Sequence, residues 1–337
     1  MAEIKQRNSN FELLRLMLMF LIVFHHAITH GLGLDSFSSW SNTPLLINSG
    51  EMNMYLLLNN LCIYAVNAFI IISGYFGIRS SWKKAGSLLL IVLFYTICFT
   101  AVPYVIVGDF RSAAKSLLIL SNTPYWFIVD YLLLMLFAPV LNTAYEKADD
   151  KVMKIFTVGI VIVAVYLGFF WGREIDRSGY NFFHFIVMYA IGRGISKGWL
   201  KISKTIAGVF FLIAVVLNTI FACLLYSTEN FDLLWKTTFY SNPLLIISAT
   251  ALVIYFKDIN LQSKHVNWLA SSSVAIYLFQ NTDLISKQFY AKVVEVYMST
   301  GGGYKTLLLT LLMSFVVCIV AILIDKVRCF IFRICHL

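Results

Sequence analysis

Apolar blocks of about 20 residues, parted by short polar stretches, recur along the whole chain. That is the length a helix needs to cross a hydrocarbon core of ~30 Å, and a soluble core would break such runs sooner. Lipid offers backbone amides and carbonyls no partners, so a spanning run must be helical or part of a closed barrel. The pattern predicts ten spans, at 11–31, 55–77, 85–107, 123–142, 152–171, 181–195, 205–226, 238–256, 266–285 and 304–324. Polar residues interrupt the fourth and the ninth. The longest connection, 32–54, is rich in Ser, Asn and Gly, and a second polar segment, 287–305, contains Gly301-Gly302-Gly303. No internal repeat is clear enough to argue an inverted-repeat transporter. The expected fold is an all-α polytopic transmembrane bundle of about 10 spans, forming a single membrane-embedded domain over residues 1–337.

Composition agrees. Apolar residues make up 60% of the 337 and charged residues 13%, with a mean hydropathy of +0.80. A soluble domain carries roughly 25% charged residues, so too little charge is present to cover a water-facing surface. The net charge of +9 does not imply nucleic-acid binding, because Lys and Arg collect in cytoplasmic loops, where they set topology and meet anionic lipid. With the N-terminus inside, 18 of the 26 basic residues fall on the cytoplasmic side and 8 on the other. The expected arrangement therefore has both termini in the cytoplasm; an odd number of spans would put the basic tail 325–337 outside. The basic start of the chain is followed by no small-residue cleavage site and reads as an uncleaved first span.

Some chemistries lack their residues. The cysteines, Cys62, Cys98, Cys223, Cys318, Cys329 and Cys335, form no C-x-x-C or histidine-containing spacing, so neither disulfides nor a metal is expected. No phosphate-binding loop, dinucleotide fingerprint or nucleophile elbow is present.

Function in such a chain is expected where ionisable groups enter apolar spans, because each is costly there and tends to face a partner or a wet cavity. The first span carries Glu12 and Arg15, then nine apolar residues, then His25-His26, with His30 one turn beyond. Arg15 and His26 are eleven positions apart, which leaves about 20° between them around a helix and ~16 Å along it. Glu12 precedes Arg15 by three positions and shares its face. One stripe thus carries Glu12, Arg15, His26 and His30. A neutral imidazole can take a proton from a hydroxyl, and an always-charged guanidinium can hold an anionic group or orient a thioester carbonyl. The plainer alternative has Glu12 and Arg15 marking the interface and the histidines capping the helix, and the pattern leaves open whether His25 or His26 faces inward.

Other embedded polar groups, Asp130, His184, Gln280, Asn281 and Asp283, read as interhelical hydrogen-bonding residues. Trp126, Trp171 and Trp268 read as interfacial anchors. The link Arg79-Ser80-Ser81-Trp82-Lys83-Lys84 either sets topology or offers a cationic dock to the phosphates of a coenzyme.

The spacing of Arg15 and His26, with the string Arg7-Asn8-Ser9-Asn10-Phe11-Glu12-Leu13-Leu14-Arg15, resembles the first span of the acyltransferase-3 family of integral-membrane acyltransferases. Phe69-Ile70-Ile71-Ile72-Ser73-Gly74-Tyr75-Phe76 is similar to that family's second span. Trp126-Phe127 through Pro139-Val140-Leu141-Asn142 resembles its fourth, and Ser271-Ser272-Ser273-Val274-Ala275-Ile276-Tyr277-Leu278 a late one. There are two departures: many members carry an R-x-x-R in the cytoplasmic link, where this chain has Arg79, Lys83 and Lys84. Many also carry a histidine in the late span, where this chain has Gln280.

The resemblance implies O-acyl transfer, usually of acetyl, from cytoplasmic acyl-coenzyme A to a hydroxyl of a cell-surface or lipid-linked glycan, at a bacterial plasma membrane. It implies His26, or His25, as the base, Arg15 with Glu12 at the donor, and Arg79, Lys83 and Lys84 around the phosphates of acetyl-CoA. The acceptor glycan and membrane lipid are the expected partners, with no nucleic acid. The competing expectation is a transporter or flippase of glycan intermediates, in which the polar stripe lines a path and no bond is made.

Overall fold

Every regular element among the described residues is helical, as a chain of apolar runs in lipid requires. The computed structural model describes residues 8–38, 41, 43–79, 81–121, 125–172 and 178–335. Lys5, Arg7, Ser80, Thr123, Pro124, Arg173, Arg177 and residues 336–337, all given places by the sequence pattern, lie outside the described residues.

The chain begins with α1 (Ser9–Gly31), whose last turn, Ala27–Gly31, is a π-helix. A pair follows, α2 (Met52–Asn60) and α3 (Ala65–Phe76), then α4 (Trp82–Ile106), which contains a π-helical turn at Ile97–Ala101. Next come the short α5 (Phe110–Ser116), then α6 (Trp126–Lys147), α7 (Asp150–Trp171), α8 (Phe182–Ser196) and α9 (Lys204–Ser227). The last third holds α10 (Phe231–Lys236), α11 (Pro243–Lys257), α12 (Lys264–Ala270), α13 (Ser273–Gln280), α14 (Asp283–Thr300) and α15 (Gly303–Ile334).

Helices start where a side chain can accept from an otherwise orphaned amide. Ser81 takes Lys84 N, Asn181 takes His184 N and Ser203 takes Ile206 N. α3 ends at Gly77, whose φ of +69° is a conformation side chains resist.

Seven segments among the described residues are long and apolar enough to cross a membrane: α1, the joined run Ser49–Phe76, α4, α6, α7, α9 and α15. α8 and α11 are apolar but only 15 residues each. Burial differs among the long segments. The spanning window of Ser49–Phe76 is 72% buried and that of α1 56%, against 22–28% for α4, α6, α7, α9 and α15. α1, α3, α8 and α11 therefore form an inner layer inside a ring of longer helices that turn apolar side chains outward, where lipid replaces protein as their neighbour.

Two segments differ from the sequence expectation. The ninth expected span, 266–285, is the broken pair α12 and α13, parted at Ser271-Ser272 and stopped again at Asn281-Thr282. The polar segment 287–305 is mostly helix, as α14. Lys287, Lys292 and Glu295 make that stretch read as a solvated connection, but its buried stripe of Phe289, Val293 and Tyr297 packs it onto the protein. Gly31 meets Val293 there; a Cβ on Gly31 would lie 3.0 Å from that side chain.

The inner layer packs closely. A Cβ on Gly74 would lie 2.2 Å from the Tyr189 carbonyl oxygen, and one on Gly192 2.2 Å from that of Ile71. Small residues that let backbones approach are how apolar helices gain packing contacts without help from water. A buried carboxamide chain adds polar glue: Asn242 Nδ2 donates to Asn218 Oδ1 (2.9 Å) and Asn218 Nδ2 to Asn60 Oδ1 (2.7 Å), tying α11 and α9 to α2. The start of α1 is fixed by Asn10 Nδ2, which donates to the Phe256 carbonyl of α11 at 2.8 Å.

Candidate active site

Where α1 passes from α-helix to π-helix, its side chains border a cavity of about 310 Å³. Met19, Ile22, His25, His26, Thr29 and His30 line it in turn along that helix. Asn59 of α2, Trp126 and Phe127 of α6, Tyr180, Tyr240, and Tyr277 of α13 supply further wall. The three imidazoles form a ladder, with ring centres 5.7 Å apart from His25 to His26 and 5.2 Å from His26 to His30. A π turn widens the helix by one residue per hydrogen bond and is frequent at functional sites. Here it changes the angular step just beyond His26. Burial pushes the Tyr180 phenol up to about 12, so this wall group stays a neutral hydroxyl near pH 7.

Each histidine has a different setting. His26 Nδ1 lies 2.8 Å from Gln280 Oε1, and Gln280 Nε2 donates to the Tyr290 hydroxyl at 2.9 Å. With the carboxamide oriented by that second bond, Gln280 Oε1 accepts the Nδ1 proton of His26 and the ring's lone pair falls on Nε2. His30 Nδ1 lies 2.8 Å from Asp35 Oδ2, and its ring is 5.6 Å from that of Tyr290. His25 and Asn59 side chains interact with each other, but His25 Nδ1 and Asn59 Oδ1 are buried without a partner at good hydrogen-bond geometry among the described residues, and both side chains line the cavity. Such atoms are rare in a folded protein and mark places where a ligand's polar groups can be received.

The stripe expected on α1 divides. His26 and His30 border the cavity, and Glu12 and Arg15 are not among the described residues that line it. Arg15 Nη1 pairs with Glu12 Oε1 at 2.8 Å, Glu12 is buried, and the guanidinium carbon lies 5.6 Å from the centre of the Phe76 ring. The pair stands nearer the start of α1, beside the end of α3. Arg79, Lys83 and Lys84 are exposed just past that end, and Lys84 Nζ donates to the Arg79 carbonyl at 2.7 Å. The link is anchored from inside: Ile78 N donates to the Tyr189 hydroxyl at 2.9 Å, and Asn142 Nδ2 to the Ile78 carbonyl at 3.0 Å. The structure thus brings the histidines together in one place and the cationic residues together in another.

Of the other polar residues, His184 makes the interhelical contact expected of it, with Nε2 2.9 Å from Asn67 Oδ1 in a buried site. Asn281 lines the histidine cavity, and Asp283 accepts from the Tyr104 hydroxyl at 2.6 Å. Asp130 is half-buried in α6. Trp171 and Trp268 are exposed, as anchors would be, whereas Trp126 is a cavity wall whose ring stacks on Tyr240, with centres 6.2 Å apart. Gln280 makes an interhelical hydrogen bond, as expected of it, whereas Tyr290 and Asn59 were not read from the sequence. Gln280 was visible as a polar intruder at the end of an apolar run, but its partner lies 254 residues away.

Fold and cavity together describe a polytopic helical membrane protein with an imidazole ladder facing a cavity, an arrangement suited to proton transfer. The family profile described as an acyltransferase domain matches residues 8–326. The chain belongs to that acyltransferase-3 family and is a membrane acyltransferase. No curated protein and no solved structure matches it.

Proposed function

We propose that this protein transfers an acyl group, acetyl by the family resemblance, from acyl-coenzyme A on the cytoplasmic side of a bacterial plasma membrane to a hydroxyl of a cell-surface or lipid-linked glycan. In this reading the end of the bundle bearing Arg79, Lys83 and Lys84 is cytoplasmic, ten segments cross the membrane, and both termini lie inside. The observation that carries the reading is the His26–Gln280 hydrogen bond at the cavity wall. It leaves one imidazole nitrogen, Nε2, ready to accept a proton.

His26 Nε2 takes the proton of the acceptor hydroxyl as the oxygen attacks the thioester carbonyl. The tetrahedral intermediate collapses with cleavage of the C–S bond, and the proton passes from the imidazolium to the departing thiolate. The products are an O-acyl glycan and free coenzyme A. Arg79, Lys83 and Lys84 hold the donor's phosphates as charge-assisted contacts, and Arg15, oriented by Glu12, steadies the donor's acyl arm. His25, whose Nδ1 has no partner at good hydrogen-bond geometry among the described residues, receives a polar atom of the bound substrates.

Envelope glycans from cells with and without the gene, compared by mass, test the reading. Glycans from cells that have the gene should carry one acyl increment per modified unit, 42 Da for acetyl, labile to mild alkali. Identical masses would refute the proposal.

A further inference from the structure

A second cavity, of about 220 Å³, lies against the first and shares Asn281 with it as a lining residue. Its character is opposite. The histidine cavity is walled largely by apolar and aromatic side chains, whereas every residue lining the second carries a hydroxyl, amide, carboxylate or ammonium group. These come from α4, α5, the start of α6 and the turn after α13, so four separate parts of an apolar chain converge to build a polar pocket. Polar groups collected within a membrane protein in this way mark a substrate path more often than a structural need.

The local geometry places hydroxyls on the wall of this pocket. Thr100 lies in the π-helical turn of α4, is only 7% exposed and lines the cavity. The Tyr125 ring stands beside it, with its hydroxyl accepting from Thr96 Oγ1 at 3.3 Å. On the facing side Asp283 is held by the Tyr104 hydroxyl at 2.6 Å and by Lys287 Nζ at 3.6 Å. Its charge is thereby partly balanced, and a carboxylate with spare lone pairs is an acceptor for hydroxyl donors. Both cavities are bordered by a π-helical turn, Ala27–Gly31 at one and Ile97–Ala101 at the other.

We infer that the polar cavity is the subsite for the acceptor's sugar ring, with Asn281 at the junction across which the hydroxyl to be acylated reaches His26. The inference rests on the proposed acyl transfer to a glycan. Hydroxyls and a carboxylate around a pair of phenol rings match the alternating polar edge and C–H faces of a sugar. The chemistry suits a polyhydroxylated ring better than an acyl chain, which the apolar first cavity would hold instead.

Two variants test it in the purified protein, Thr100→Val, which deletes only the hydroxyl, and Ser112→Trp, which fills the cavity from α5. The probes are acetyl-coenzyme A and the host cell's own extracted envelope glycan. The first variant should raise the KM for glycan roughly three- to tenfold, the loss expected for one neutral hydrogen bond, and the second should raise it further. Coenzyme A should raise the melting temperature of both as it does that of the wild type, which shows that the donor side remains folded. A glycan KM unchanged in both variants would overturn the subsite while leaving acyl transfer standing. A wild-type protein that acylates no glycan would overturn the subsite together with the reading beneath it.

Discussion

At His26 a single hydrogen bond decides what the side chain can do. Imidazole carries one proton in its neutral form, and whichever nitrogen donates it leaves the other as the base. Gln280 Oε1, 2.8 Å from Nδ1, fixes that choice and the ring's orientation, and Tyr290 in turn fixes the carboxamide. Gln280 is therefore a positioning residue. Gln280→Leu should lower the rate of acyl transfer by roughly 5- to 150-fold, the equivalent of about 1–3 kcal/mol for stranding a buried donor. Gln280→Glu, which keeps an acceptor, should restore most of the rate. Initial rates for both variants, against one abundance standard, check this, and a wild-type rate in Gln280→Leu would sink the positioning role. The histidines themselves were legible in the sequence, because two adjacent imidazoles in an apolar run are costly without a purpose. The partner was not legible, since no periodicity links positions 26 and 280. Arg15 with Glu12 was legible as a helical pair three residues apart, and the structure supplies what spacing could not, their separation from the cavity.

At the level of elements, most long helices could be read from apolar block length alone, because lipid leaves their outward faces apolar all round. Elements whose surroundings are protein were harder. α8 and α11 are exceptions, matching the expected spans 181–195 and 238–256 closely. α12 and α13 break at Ser271-Ser272 within an apolar stretch that hydropathy reads as continuous. α14 hides behind the charges of Lys287, Lys292 and Glu295, so Tyr290, which it carries to the histidine ladder, could not be placed. The crossing of α3 with α8 gives the sharpest test at this scale. A methyl group on Gly192 would lie 2.2 Å from the Ile71 carbonyl and 2.7 Å from Tyr75 N, so the backbones must part to admit it. Gly192→Ala should destabilise the protein by about 1–3 kcal/mol, the usual cost of overpacking, and lower its melting temperature in detergent. Gly159, with nothing within 4 Å of an added Cβ, provides the control: Gly159→Ala should leave the melting temperature unchanged. Equal melting temperatures for Gly192→Ala and wild type would show that the crossing is looser than described.

For the whole molecule, the histidine cavity is bordered by α1, α2, α3, the start of α6, α10 and α13 with the turns beside them. The molecule has a cationic rim at one end of the bundle and a polar pocket beside the imidazoles. Donor, acyl group and acceptor would then meet from different directions at one nitrogen. The composition and hydropathy of the chain gave the membrane class directly, whereas the division into cavity and rim emerges only when distant segments are packed together. The most direct test of the account is transfer of label from radiolabelled acetyl-coenzyme A to envelope glycan in membrane vesicles carrying wild-type protein or His26→Ala at equal abundance. Removal of a general base costs roughly 10²–10⁴-fold. The account predicts a loss of that size with the helical content of the protein unchanged, and label incorporated by His26→Ala at the wild-type rate would contradict it.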